Sequence, residues 1–399
     1  MTCTEQIYTE QTCLERSRSR RFKIYHWILT VVICLAVLAI SCEPSAEEAK
    51  IQVEPRPSSV IRPPSSDEGR APVEPQGGEP VEPQGGDPVE PQGGEPVEPQ
   101  GGEPVELSLK FTPQDLTTYK VTTEAVRTIK GEGSLSDDST FKGGTTSNKI
   151  EITFTQQIKS VDDNGNAVAE VTIKGIKALS EVKDNVILDF DSSGEKNLND
   201  PIGALVGQSY TIELTAAGDV SNVIDASQAQ AAVRGDSAAQ KRALELVSQD
   251  AIKKRHSIPA LSACGKNQIR TGDNWTSVDT LSFGMMGTKS YERIYTLKEI
   301  KDEQNSRLAV IEMNAVPSAE LTQEQRQEQS MGIFSKMFDN TETYTGRLEM
   351  DFNTGKINEY FEKLQCEWVA VDPTAAQNNE EPAVLRMAAT RLYRIEKIE

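Results

Sequence analysis

Histidine is nearly missing from this chain: 399 residues hold two, His26 and His256. Catalytic triads and metal centres built on imidazole therefore lack their parts. The patterns G-x-S-x-G, H-E-x-x-H, the P-loop and C-x-x-C are missing too, so the chain is expected not to be an enzyme and to need no cofactor. Positive charge is in short supply, with 42 Lys and Arg against 61 Asp and Glu and a net charge of -19. Such a surface repels phosphate backbones, and no basic stripe interleaves with aromatics, which excludes nucleic acid as a partner. Cysteine is scarce beyond the first 42 residues, where only Cys264 and Cys366 remain. In an oxidising compartment they are candidates for one disulfide; the alternative is two separately buried thiols.

A long apolar run is also lacking. Trp27 to Ile40 is uncharged for 14 residues, whereas a spanning helix needs about 20. Arg16, Arg18, Arg20, Arg21 and Lys23 precede it as a positive region, the layout of an export signal over residues 1–41. The run closes on Leu38-Ala39-Ile40-Ser41-Cys42, which resembles the lipobox of bacterial lipoproteins. That chemistry needs a small residue at the cut and a thiol to take the diacylglycerol, so Cys42 is the lipidation candidate and the first residue after processing. The expected location is a bacterial cell envelope, with the chain fixed to a membrane by lipid; inner and outer membrane both remain open.

Residues 42–106 form a second zone. From Ala71 an octapeptide of the type EPVEPQGG repeats and ends in the partial copy Glu103-Pro104-Val105-Glu106. One valine per eight residues cannot build a solenoid, whose units need about 20 residues and an apolar face. Paired prolines extend the chain, Gly-Gly pairs let it swivel, and 15 acidic against 4 basic side chains between Glu43 and Glu106 repel one another. The zone reads as a disordered tether.

Only residues 107–399 have the composition of a folded domain. Ile150, Ile152, Phe154 and Ile158 alternate with Glu151, Thr153, Thr155 and Lys159, then Asn164-Gly165 turns the chain into Ala169, Val171 and Ile173. Similar alternation recurs at Tyr210 to Leu214, at Tyr291 to Leu297 with a return through Leu308 to Met313, and at Leu348 to Phe352 turned by Asn353-Thr354-Gly355 into Ile357 to Leu364. The Ile150 and Tyr291 hairpins are alike enough to read as two degenerate repeats, with halves at 107–225 and 270–399. Between them, residues 226–256 are rich in Ala, Gln and charge. Asp236 or Ser237 would cap a helix there, Ala239, Ala243, Leu246, Val247 and Ile252 would form its buried stripe, and Lys253, Lys254, Arg255 and His256 would face the negative end of its dipole. A weaker helix is expected over Gln323 to Met337. The fold class is mainly β (α+β): a curved antiparallel sheet or half-barrel of long hairpins with a helical segment against its concave side.

One acidic pattern resembles a cation site. Asp189, Asp191, Ser193, Gly194 and Asp200 occupy positions 1, 3, 5, 6 and 12 of a calcium loop, with Lys196 where an apolar residue is usual and Asp in place of the bidentate Glu. A polar turn after a strand accounts for the same residues, and the expectation is that no metal is held.

Several short phrases point to a family. Phe111 to Tyr119, the turn at Asn164-Gly165, Asp189-Phe190-Asp191-Ser192-Ser193, Leu205-Val206-Gly207, Gly218-Asp219-Val220, Gly272-Asp273-Asn274-Trp275 and Tyr344-Thr345-Gly346 together resemble uncharacterised bacterial lipoproteins that share an exported β-rich domain of unknown function. The resemblance implies an envelope location and brings no catalytic residues. The leading expectation is a membrane-anchored binding or structural module for a protein, glycan or other ligand. A carrier of lipid or another hydrophobic ligand is the second reading, and a carboxylate-based hydrolase the third.

Overall fold

The computed structural model describes residues 103–133, 143–183, 185–194, 200–265, 268–283, 288–303, 306–318, 339–371 and 381–398. The signal, Cys42, the tether to residue 102 and the helix expected over Gln323 to Met337 lie outside the described residues.

The alternating segments become strands, several of them 12 to 18 residues long. The first half supplies β1 (Leu116–Glu132), β2 (Gly144–Val161), β3 (Ala167–Val182), β4 (Asn185–Asp191), β5 (Ser209–Leu214) and β6 (Val220–Asp225). The second supplies β7 (Asn274–Ser282), β8 (Thr288–Glu303), β9 (Ser306–Pro317), β10 (Asp339–Asp351), β11 (Lys356–Val371) and β12 (Val384–Lys397). They form one antiparallel sheet in the order β6-β5-β3-β2-β1-β12-β11-β10-β9-β8-β7, with β4 on the remaining edge of β3. Consecutive strands are mostly neighbours, and the first meets the last, Tyr119 opposite Lys397 and Glu132 opposite Val384. This is an up-and-down barrel left open along one seam, between β6 and β7. The sheet is open and curved, as the half-barrel reading anticipates.

The helical segment is inserted in the chain at that seam. The single stretch expected over 226–256 forms three helices, α1 (Ser227–Ala232), α2 (Ala238–Leu246) and α3 (Gln249–His256), followed by the single turn α4 (Pro259–Ser262). Local capping explains the breaks. The Ser237 hydroxyl accepts from the Gln240 amide while the Gln240 side chain accepts from the Ser237 amide, a reciprocal cap worth about 1 kcal/mol. Ser248 then accepts from the Ala251 amide and starts α3. Ala229, Ala243, Val247 and Ile252 face inward and are fully buried.

Side chains tie this segment to both halves of the sheet. Tyr393 on β12 donates to the Arg255 carbonyl at 2.8 Å, and Trp275 on β7 donates to the Ala260 carbonyl at 2.8 Å. Within the first half, Phe154, Val171, Tyr210 and Ile212 are buried on the concave side, and the Phe154 ring meets His256 edge-on at 4.7 Å. Burying each such side chain stabilises the fold by roughly 1.5–3 kcal/mol.

The domain begins earlier than composition indicates. Val105, the valine of the partial repeat, is buried and bridges Ile269 through both backbone hydrogen bonds. Leu109 then bonds the Ala216 carbonyl and Lys110 the Gly355 carbonyl, so the entering chain stitches together turns at one end of the sheet. Gly355 is required there: its φ is +67°, and a Cβ would lie 2.2 Å from the Lys110 nitrogen. Among the described residues, every strand and every core residue lies between Val105 and Lys397.

Candidate functional site

The concave face of the second half carries charge where the first half carries hydrocarbon. Arg293 sits between Tyr291 and Tyr295 along β8, two residues from each, so the pleat turns all three inward. Glu342 and Tyr344 do the same on β10, and Tyr360, Glu362 and Cys366 on β11. Arg293 Nη1 pairs with Glu362 Oε1 at 3.0 Å and with Asp279 of β7 at 3.6 Å, while its Nε donates to Ser277 Oγ at 3.2 Å. Tyr344 donates to Glu362 Oε2 at 2.7 Å and Tyr360 donates to Oε1. Beside this group Lys289 pairs with Glu342 at 3.1 Å, and Tyr291 donates to Glu342 Oε2 at 2.5 Å.

Gly346 makes the arrangement fit. It lies opposite Glu362 on β11 and Met313 on β9, and a Cβ there would come within 2.7 Å of the Phe361 carbonyl oxygen and 3.0 Å of the Met313 methyl. The missing side chain lets Met313 and Glu362 lie across it. Burial, with carboxylates alongside, pushes the Tyr291, Tyr344 and Tyr360 hydroxyls well above their ordinary range, so all three act as donors. Burial opposes the charge on Arg293, but Glu362 and Asp279 hold its guanidinium above its ordinary value. The cluster is a set of closed ion pairs and bonds its parts to one another.

A second polar group joins the helices to the sheet. Arg255 is buried, donating from Nη1 to the Tyr210 hydroxyl at 3.2 Å and from Nη2 to the Leu246 carbonyl at the end of α2 at 2.5 Å. The same Tyr210 hydroxyl is hydrogen-bonded to His256 Nε2 at 2.7 Å. Burial, and then the neighbouring Arg255, holds His256 well below the usual histidine range. Arg255 and His256 stand in the last turn of α3, at the negative end of its dipole as the sequence places them, and both are buried because α3 ends against β2 and β5.

The carboxylates of the acidic loop serve separate turns. Asp191 accepts from the Ser193 hydroxyl at 2.7 Å and amide at 2.9 Å and pairs with Lys177 at 3.0 Å, which pulls it down to about 2. Asp200 accepts from the Ile202 amide and starts the 3-10 turn Gly203–Leu205. Asp189 is carried within β4. Among the described residues no three His, Cys, Asp or Glu side chains are grouped to hold a metal ion.

The disulfide considered for Cys264 and Cys366 is not formed; both are buried thiols. Cys264 ends the turn after α4, whereas Cys366 sits in mid-strand with its sulfur 3.8 Å from the Tyr291 hydroxyl and 3.9 Å from Glu342. Burial raises the Cys366 thiol above its ordinary value, the opposite of an activated nucleophile. Cys42 lies outside the described residues.

No large enclosed pocket stands out among the described residues. The two best-formed recesses measure about 60 and about 40 Å³, against roughly 300–1,000 Å³ for pockets that enclose a drug-sized ligand. The larger is an open cleft between β1, β11 and β12, capped by Phe283 just beyond β7. The curl of the sheet brings these together: Phe283 packs edge-on against Trp368 at 5.4 Å, and Arg391 of β12 donates to the Ser282 carbonyl with its guanidinium 5.1 Å from the Phe283 ring centre. Ile129 and Met387 form the apolar floor and Arg127 the exposed lip. The sequence reading singled out none of the residues in this cleft.

Residues 164–357, from the β2–β3 turn to the start of β11, match a family of unknown function, DUF6263. No curated protein sequence matches the chain. Among solved structures it is similar to lipovitellin, in a structure of lipid–protein interactions, at 12% identity and a TM-score of 0.37, covering 73% of this chain and 26% of that one. It is also similar to DynF from the dynemicin biosynthesis pathway of Micromonospora chersina, at 6% identity and a TM-score of 0.16, covering 79% of this chain and 94% of that one. The chain thus spans about a quarter of the lipovitellin chain it matches.

Proposed function

We propose that this chain is an exported envelope lipoprotein, cut before Cys42 and acylated there, that holds a non-catalytic β-rich binding module on a Pro/Glu/Gly tether. The observation that carries the non-catalytic reading is saturation. The inward carboxylates of the second half, Glu342 and Glu362, are each taken up by a cation and by tyrosine hydroxyls, and neither lines either of the two best-formed recesses among the described residues. A hydrolase needs a carboxylate poised at a space where substrate and water can stand. A carrier that encloses its cargo needs a cavity of roughly 300–1,000 Å³, and the two best-formed recesses among the described residues are about 60 and about 40 Å³. An open cleft on a fixed scaffold suits recognition.

The anchoring half of the proposal rests on Leu38 to Cys42 and on the basic region before it. Each buried methylene of an acyl chain contributes about 0.8 kcal/mol, so two or three chains hold a protein at a bilayer stably. Labelling cells with radioactive palmitate tests it: the full chain takes up label and Cys42→Ser takes up none. Equal labelling of both would overturn the anchor.

A further inference from the structure

Among the described residues, most buried or half-buried cations of this acidic protein have a carboxylate beside them: Arg293 has Glu362, Lys289 has Glu342, and Lys356 has Asp115 at 2.7 Å. The cleft departs from that rule. Among the described residues Arg391 reaches a backbone carbonyl and an aromatic face but no acid, and no acid pairs with Arg127. The two guanidiniums repel each other: burial and then Arg127 hold Arg391 below its ordinary value. Asp279, the acid whose field reaches Arg391, is committed to Arg293.

Between and beneath these charges the wall is hydrocarbon and aromatic. Trp368, Phe283, Met387 and Ile129 surround about 60 Å³ of open space, where one water needs about 10–15 Å³. That is room for the end of an alkyl chain. The rim at the same end of the sheet is apolar as well, with Val182, Val186 and Ile187 at the β3–β4 turn and Val371 at the end of β11 exposed. The entering chain at Val105 to Lys110 is bonded to turns at the opposite end, so the cleft is clear of it.

We propose that this cleft binds an anionic amphiphile, its alkyl chain against Trp368, Met387 and Ile129 and its charged head between Arg127 and Arg391. The ligand's negative charge relieves the repulsion between the guanidiniums, and its chain covers surface that water now meets. This deepens the binding-module reading and is independent of the anchor, which palmitate labelling reports separately.

The test is calorimetric titration of the full chain with three probes below their micelle-forming concentrations: dodecyl phosphate, dodecanol and inorganic phosphate. Dodecyl phosphate binds and changes Trp368 fluorescence, while dodecanol and inorganic phosphate each bind at least tenfold more weakly. Arg127→Gln, at an exposed position that leaves the fold unchanged, weakens dodecyl phosphate about tenfold, in keeping with loss of one hydrogen bond to a charged group. Arg127→Lys restores most of the affinity. Equal binding of dodecanol, equal binding of inorganic phosphate, no binding of dodecyl phosphate, or indifference to Arg127→Gln would each overturn the proposal. In the first two cases the cleft remains a binding site, and the ligand class alone is wrong.

Discussion

The two halves of the sheet use the same strand alternation and fill their concave faces differently. β1 to β6 cover theirs with imported helices, and the contact is Phe154, Val171, Tyr210 and Ile212 against Ala229, Ala243, Val247 and Ile252. β7 to β12 curl until their own side chains meet, and the filling is tyrosine tied to ion pairs around Arg293, Glu342 and Glu362. An apolar face needs a cover brought from elsewhere; a face of long polar side chains can bridge the space itself, provided every charge is matched.

The sharpest way to separate the halves is to remove one side chain from each. Phe154→Ala deletes a fully buried ring between Tyr119 and His256, and is expected to cost about 3–5 kcal/mol in denaturant unfolding. In the second half Glu362→Ala leaves Arg293, whose side chain is 10% exposed, with only the longer 3.6 Å pairing to Asp279, at about 3 kcal/mol. The halves part company at the double variant. Arg293→Met with Glu362→Leu removes both charges and is expected to recover at least half of that loss, whereas no second substitution replaces the Phe154 ring. If the double variant is destabilised as much as Glu362→Ala, the loss does not come from a stranded charge and the contrast drawn between the halves fails.

The halves were also unequally legible in the sequence. Ile152, Phe154, Ala169, Val171 and Ile212 read as a buried face because hydrocarbon at every second position has one interpretation. Arg293, Glu342 and Glu362 stand at the same period, flanked by Tyr291 and Tyr295, by Tyr344, and by Tyr360 and Leu364. Taken singly they look like solvent-facing residues. Their parity with two core neighbours was the available signal, and it fixes direction without naming a partner, since Arg293 and Glu362 are 69 residues apart. The cleft was illegible for a different reason: Arg127, Phe283, Trp368 and Arg391 come from four separate segments that only the curl of the sheet brings together. The helical segment was legible as a region but not as three helices, because Ser248 reads as one polar residue in a long stripe until its cap is seen.

A pH titration sharpens the comparison from the side of the first half. His256 is held neutral by burial and Arg255, so the unfolded chain takes up a proton before the folded one does as pH falls. Its contribution is complete above the unfolded value, about 6.5, and is lost progressively below it, at no more than about 1.4 kcal/mol per pH unit for a single proton. His256→Gln is expected to flatten the stability profile between pH 6.5 and 5 relative to the parent chain. An unchanged slope would mean that His256 does not set the acid sensitivity of the fold.

The smallest expected effect concerns the cover itself. Ser237→Ala removes one half of the reciprocal cap on α2, at a cost of about 1 kcal/mol. Because the helices cover the concave face of the first half and their side-chain ties to the second half run from β7 and β12, hydrogen exchange should quicken at Gln240 to Leu244 and along the Phe154 face of β2, while amides of β10 and β11 keep their protection. Faster exchange at Tyr344 and Glu362 as well would show that the two fillings cooperate through the shared β1–β12 pairing, and the sheet would then have to be treated as one unit with two kinds of core.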